Sequence, residues 1–221
     1  LQATPWPQQP PHTEAPRRQR AWARTVGGRG HVAAFNDISK VYDGISYGDG
    51  NIDVPNNAIH DNYDDSNEPD YAWDNYRVWQ NSTWNSGLNG ISFQPVNGGP
   101  WYVFQNQMTG NSYNPFKVRS GVGARIIVGN TIIYRRNVQD MDPIFRNDSV
   151  FANNFLRVDS PNGDNFIGDG DMPSPIEMKL WDYNRYDVLP YKVFKFSGSK
   201  SLADLQALGV ELHTQIVGDN G

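Results

Sequence analysis

The chain has 221 residues, no cysteine, 19 basic against 24 acidic side chains, a net charge of −5, and 13% aromatic residues. That length suffices for one domain with a sizeable core. The missing cysteines exclude a disulfide framework and a thiolate zinc site, and the acidic balance argues against nucleic acid as a partner. No apolar run approaches the ~18 residues of a membrane helix, so no membrane association is expected.

Residues 1–30 are rich in proline, arginine and glutamine and show no period. Such a segment buries too little apolar surface to offset its ordering entropy, so a disordered leader is predicted. It lacks the apolar stretch of a signal peptide. No capping element is legible between Gly30 and the first strand, so the chain reads as the C-terminal part of a longer solenoid.

Residues 31–196 repeat one theme. A short alternating strand, an asparagine, a few polar residues and a second strand recur, as in Tyr76–Trp84 followed by Asn89-Gly90-Ile91-Ser92-Phe93. Asparagines fall at 36, 62, 81, 106, 130 and 154, in steps of 26, 19, 25, 24 and 24 residues, and a weaker copy places Asn184 after a further 30. A fixed period of this kind is the mark of a solenoid, here built of strands and turns. One coil cannot bury its apolar residues alone, so coils must stack. Asparagine suits the corners: it tolerates left-handed backbone, and its amide bonds the amide of the next coil. The predicted ladder is Asn36, Asn62, Asn81, Asn106, Asn130 and Asn154.

A second column follows. Asp43-Gly44-Ile45-Ser46, Asn89-Gly90-Ile91-Ser92 and Asn114-Pro115-Phe116-Lys117 align, which turns Ile45, Ile91 and Phe116 inward and Ser46, Ser92 and Lys117 outward. Residues 63–74 read as an acidic insertion between coils, and 135–148 and 158–175 as loops. Residues 197–221 form a helix and tail, with Ser201 as N-cap, Asp204 at the third helical position and Gly209 as the stop.

These repeats resemble the right-handed parallel β-helix family that includes polysaccharide lyases, pectin-type hydrolases and uronate epimerases. The resemblance covers roughly residues 31–196, judged by the period. It implies an all-β solenoid of about six to seven coils, secretion or a place in the cell envelope, and a polysaccharide partner bound by a monomer. It says little about activity, because one fold hosts many chemistries.

Three constellations carry candidate chemistry. Lys117 and Arg119 lie on one outward strand face, two residues apart. Some β-helix lyases use such a pair to abstract a proton beside a uronate carboxylate and to hold that carboxylate. Otherwise the two are solvated surface charges. Asp64, Asp65 and Glu68 offer paired carboxylates for glycoside hydrolysis. Asp64-Asp65 resembles the adjacent aspartates of pectin-type hydrolases, although the Gly-His-Gly and Arg-Ile-Lys motifs of that group are absent. Asp164, Asp169 and Asp171, in a Gly/Asp-rich stretch, are candidate calcium ligands, though the twelve-position EF-hand pattern is not met; a plain turn explains them equally. Tyr47, His60, Trp84, Gln94 and Tyr102 are the candidate substrate contacts. The function expected is a lyase or glycoside hydrolase, the alternative a non-catalytic polysaccharide-binding module or an inactive fragment.

Overall fold

The computed structural model describes residues 24–25, 28–46, 48–93, 96–110, 115–118, 123–134, 148–158, 165–167, 178–187, 193–195 and 199–217. They form a parallel β-solenoid. Each regular coil contributes one strand to each of three sheets. The six-stranded sheet runs from Gly50–Pro55 through Asp74–Trp79, Trp101–Phe104, Arg125–Val128 and Val150–Ala152 to Leu180–Asp182. The eight-stranded sheet comprises Asp37–Ser39, Ala58–His60, Ser82–Trp84, Gln107–Thr109, Thr131–Tyr134, Phe155–Val158, Arg185–Asp187 and Gln215–Ile216. The five-stranded sheet comprises Arg24–Thr25, Ile45–Ser46, Asn67–Glu68, Ile91–Phe93 and Phe116–Val118. Among the described residues four turns place a strand in all three sheets, fewer than the six to seven coils expected, because the five-stranded sheet ends at Phe116–Val118. A small sheet of Asn165–Ile167, Val193–Lys195 and Ser199–Lys200 lies outside this repeat.

Alternation along each strand builds the core. Val54, Val78, Val103, Ile127, Phe151 and Trp181 stack in register on one inner wall. Ile38, Ile59, Thr83, Met108, Ile132, Leu156 and Tyr186 stack on the second. All are buried, and each large apolar member contributes about 1.5–3 kcal/mol relative to exposure.

The asparagine ladder exists, with one member exchanged. It runs Asn36, Asn57, Asn81, Asn106, Asn130, Asn154 and Asn184. The backbone N–H and the Nδ2 of each donate to the Oδ1 of the next at 2.8–3.1 Å. Asn57 replaces Asn62, which lies one leg further on and bonds no ladder member. The reason is position: every ladder asparagine stands directly before a strand of the eight-stranded sheet, and Asn57 precedes Ala58–His60. The ladder residues do not themselves take the left-handed conformation. The residue before each does: Phe35, Asn56, Gln80, Gln105, Gly129, Asn153 and Tyr183 have φ between 54° and 68°. A second left-handed column, Lys40, Asp61, Asn85 and Gly110, turns the chain on the far side of the same sheet.

The stack passes both boundaries drawn from the sequence. Arg24 and Thr25 pair with Ile45 and Ser46, and Arg29 bridges to Gly50, ahead of residue 31. At the other end Gln215 and Ile216 pair with Arg185 and Tyr186. The helix spans Leu202–Ala207, with Ser201 as N-cap in a capping box with Asp204 and Leu205 buried beneath it. No helix among the described residues is long and apolar enough to cross a membrane.

The acidic stretch 63–74 is not an insertion. Asn67–Glu68 is a regular strand of the five-stranded sheet, paired with Ile45–Ser46 on one side and with Ile91 on the other. The alternation was hidden because Asn67 occupies the inward position held by Ile45, Ile91 and Phe116.

Candidate functional site

The five-stranded sheet and the corner that feeds it carry the densest charge. Asp43, Asp65 and Asn89 form a column at this corner. The Asp65 N–H donates to Asp43 Oδ1 at 3.3 Å, and the N–H and Nδ2 of Asn89 donate to Asp65 Oδ1 at 2.8 and 2.7 Å. Gly44 makes the tight approach possible: a Cβ there would meet the Ser66 carbonyl oxygen at 2.3 Å. Asp65 is fully buried, and its second oxygen lies 3.5 Å from Lys117 Nζ.

The outward row of the sheet sets Ser46 beside Glu68 and Ser92 beside Lys117. The sequence expectation of one charge in a small polar row is therefore incomplete: Glu68 is a second. The Glu68 and Asp43 carboxyls are near enough for each to bear on the ionisation of the other. Burial, then the charges of Asp70 and Asp43, push Glu68 up to about 9. Burial also raises Asp43 and Asp65; Lys117 opposes the rise at both, and at Asp65 so do the bonds from Asn89. Asp64 contacts the phenol of Tyr42, whose ionisation it suppresses, and Asp64 Oδ1 is buried with no hydrogen-bond partner.

Four residues chosen from the sequence, Asp64, Asp65, Glu68 and Lys117, thus come together. Their roles are unequal. Asp64 and Asp65 are chain neighbours that turn to different partners. The carboxyl pair whose ionisations bear on each other is Glu68 with Asp43, which sequence reasoning missed. A signal was present: Asp43 and Asp65 stand in a corner column where Asn89 shows that a neutral amide serves the fold.

His60 and Trp84 lie elsewhere, on the outward face of the eight-stranded sheet, in register and stacked with ring centroids 4.2 Å apart. His60 Nε2 lies 2.9 Å from Asp37 Oδ1, and Nδ1 lies 2.8 Å from Asp61 Oδ2. Asp61 accepts from Asn85 Nδ2 at 2.5 Å, and that bond, followed by His60, holds its carboxyl below the usual range. Tyr102 stands on the outward face of the six-stranded sheet, in register with Arg77, which pairs with Asp53. The substrate-contact set is therefore divided between faces. Arg119, Tyr47, Gln94, Asp164, Asp169 and Asp171 lie outside the described residues.

Among the described residues no group of three or more histidine, aspartate or glutamate side chains has a metal-holding arrangement. Comparison of the chain with protein-family models, curated proteins and solved structures found no match.

Proposed function

We propose that this protein cleaves a polysaccharide by general acid–base chemistry, as a glycoside hydrolase, with Glu68 as the acid. The observation that carries the reading is the Asp43–Glu68 pair at the surface of the five-stranded sheet. Two neighbouring carboxyls that share a site cannot both ionise easily, and their unequal environments divide the roles. Glu68, pushed up to about 9, holds a proton at neutral pH and is suited to protonate a leaving glycosidic oxygen. Asp43, beside it, helps to keep the proton on Glu68.

A hydrolase fits better than a lyase. A lyase base must be free to accept a proton, whereas Lys117 Nζ lies 3.5 Å from the buried Asp65 carboxyl. Lys117 then serves as the ion-pair partner of Asp65. The membership of a pectin-lyase-like family and the extracellular location belong to the same proposal and rest on the resemblance of the repeat. The alternative, a binding module, is favoured by the His60–Trp84 stack, where Trp84 is 36% exposed.

The test is reducing-end release from a polysaccharide panel, with absorbance of unsaturated uronates as the lyase control. Glu68→Gln is expected to lower kcat by about 100-fold or more, the usual worth of a general acid. The parent rate should fall as pH rises through about 9, because Glu68 then loses the proton it donates. Unsaturated products, or a Glu68→Gln protein that cleaves at the parent rate, would overturn the assignment.

A further inference from the structure

Four exposed aromatic side chains bracket Glu68. Tyr42 is 67% exposed, Tyr63 75%, Tyr71 57% and Trp73 57%. A flat ring with more than half of its residue's area open has at least one face free, because an edge alone supplies too little area. Such solvated rings add nothing to the core, and grouped exposed apolar surface marks a binding site where scattered residues would not.

Tyr42 and Tyr63 stand at the corner that enters the strand Asn67–Glu68. They lie on adjacent coils: the Tyr63 N–H donates to the Val41 carbonyl and the Asp64 N–H to the Tyr42 carbonyl, both at 2.9 Å. Tyr42 belongs to the acidic site itself, since Asp64 first, and Asp43 and Glu68 after it, act on its phenol. Tyr71 and Trp73 stand at the corner that leaves the strand. The Asp70 N–H donates to the Glu68 carbonyl at 2.8 Å and the Ala72 N–H to the Pro69 carbonyl at 3.2 Å, which folds the chain into a turn. Ala72 is fully buried, so Tyr71 and Trp73 on either side of it turn outward. Both neighbouring coils fix this backbone. The Trp73 N–H donates to the Asp49 carbonyl at 2.6 Å, and the N–H and Nδ2 of Asn97 donate to the Ala72 and Tyr71 carbonyls at 2.9 and 3.2 Å. Gly98 permits the approach, because a Cβ there would meet the Trp73 carbonyl oxygen at 1.8 Å. Tyr71 is held at φ 63°, a conformation rare for a bulky residue, and such outliers collect at binding sites.

We propose that these rings are stacking platforms for a glycan chain, Tyr42 and Tyr63 on one side of Glu68 and Tyr71 and Trp73 on the other, so that the chain crosses the coil along the strand and is cut internally. This deepens the hydrolase reading and rests on it. The apolar C–H face of a pyranose ring is the surface a free aromatic face covers best. Platforms on both sides of the acid would hold sugar units on both sides of the broken bond.

The experiment is calorimetric titration of the 221-residue chain with hexamers and trimers of cello-, xylo- and galacturono-oligosaccharides, with cleavage products resolved by chromatography. At least one hexamer should bind, about tenfold or more tighter than its trimer, since only the longer chain reaches both sides. Tyr63→Ala and Trp73→Ala should each weaken the hexamer about tenfold, the usual worth of truncating an aromatic anchor, while melting like the parent. Tyr63→Phe and Trp73→Phe should keep most of the affinity, because a ring remains. Glu68→Gln should bind like the parent, and the parent should release di- to tetrasaccharides. Parent affinity in both alanine variants overturns the inference, and continued cleavage then leaves the hydrolase reading standing without it. An effect of only one of the two, or release of monosaccharide alone, overturns the two-sided path. Binding that both alanine variants weaken, with no cleavage by the parent, supports the platforms and removes the hydrolase reading. Binding of no hexamer overturns the inference outright.

Discussion

Two corner columns run up this solenoid, and they use the same geometry to different ends. In both, a side-chain oxygen accepts the backbone N–H of a neighbouring coil. In the asparagine ladder every member also donates. Asn106 Nδ2, for example, bonds Asn130 Oδ1, the Val78 carbonyl and the Phe104 carbonyl. The column is neutral and closed. In the second column Asp43 and Asp65 stand beside Asn89, and a carboxylate in place of an amide has an oxygen where the donor would be. At Asp65 that surplus oxygen meets Lys117, and the neighbouring Asp43 helps to raise Glu68. Replacing one NH2 group by oxygen, with almost no change of shape, converts a neutral column into a titratable one.

The largest effect is expected where the neutral ladder is broken. Asn106→Leu leaves the N–H and Nδ2 of Asn81 and the Oδ1 of Asn130 short of partners, all buried. A loss of about 3–5 kcal/mol should show in urea unfolding, from several unsatisfied groups at about 1–3 kcal/mol each with partial relaxation.

Next comes the charged column. Lys117→Ala strands the buried Asp65 carboxylate and should cost roughly 3 kcal/mol. Adding Asp65→Asn should restore most of that stability, because the amide oxygen still serves Asn89 and the stranded charge is gone. A double variant no more stable than Lys117→Ala would show that Asp65 and Lys117 are not coupled.

A third prediction concerns the top of the neutral ladder, where it meets a carboxylate. Asn184 N–H donates to Thr214 Oγ1 at 3.0 Å, and its Nδ2 reaches both oxygens of the buried Glu211 at 3.3 and 3.2 Å. The Tyr186 and Thr214 hydroxyls also donate to Glu211. Burial outweighs these donors and pushes Glu211 from 4.5 up to about 7. A folded-state value above the unfolded one contributes stability below about pH 4.5, and that contribution is lost as pH rises through about 7. The span is roughly 3 kcal/mol, about 2.5 units at 1.36 kcal/mol per unit. Melting followed from pH 5 to 8 should show the parent declining and Glu211→Gln nearly flat. Parallel curves would exclude Glu211 as the source.

The smallest expected change is Asp61→Asn. Asp61 is exposed, so its bonds to His60 and Asn85 matter little to stability, and a shift within about 0.5 kcal/mol is expected by thermal melting.

The solenoid was legible because it is a local rule repeated. Two-residue alternation and the roughly 24-residue step are visible in one dimension, and they placed Ile45, Ile91 and Phe116 inward without a structure. The exchange of Asn57 for Asn62 came from taking Ala58–His60 as the strand before the corner asparagine, whereas that strand follows it; Asn57 in fact gives the more even steps, 21 and 24 in place of 26 and 19. The acidic stretch 63–74 lost its repeat signal because Asn67 replaces an apolar residue.

The sequence by itself determined the architecture, the helix cap at Ser201–Asp204 and the choice of Asp64, Asp65, Glu68 and Lys117 as the residues to watch. Tertiary structure alone decided how they pair. Lys117 stands 52 residues from Asp65 in the chain and two strands away in the sheet, and Glu68 stands 25 residues from Asp43 and one strand away. Stacking turns a separation of whole coils into a neighbour contact, and burial at that contact sets which carboxyl keeps its proton. Neither is written in the residues taken one at a time.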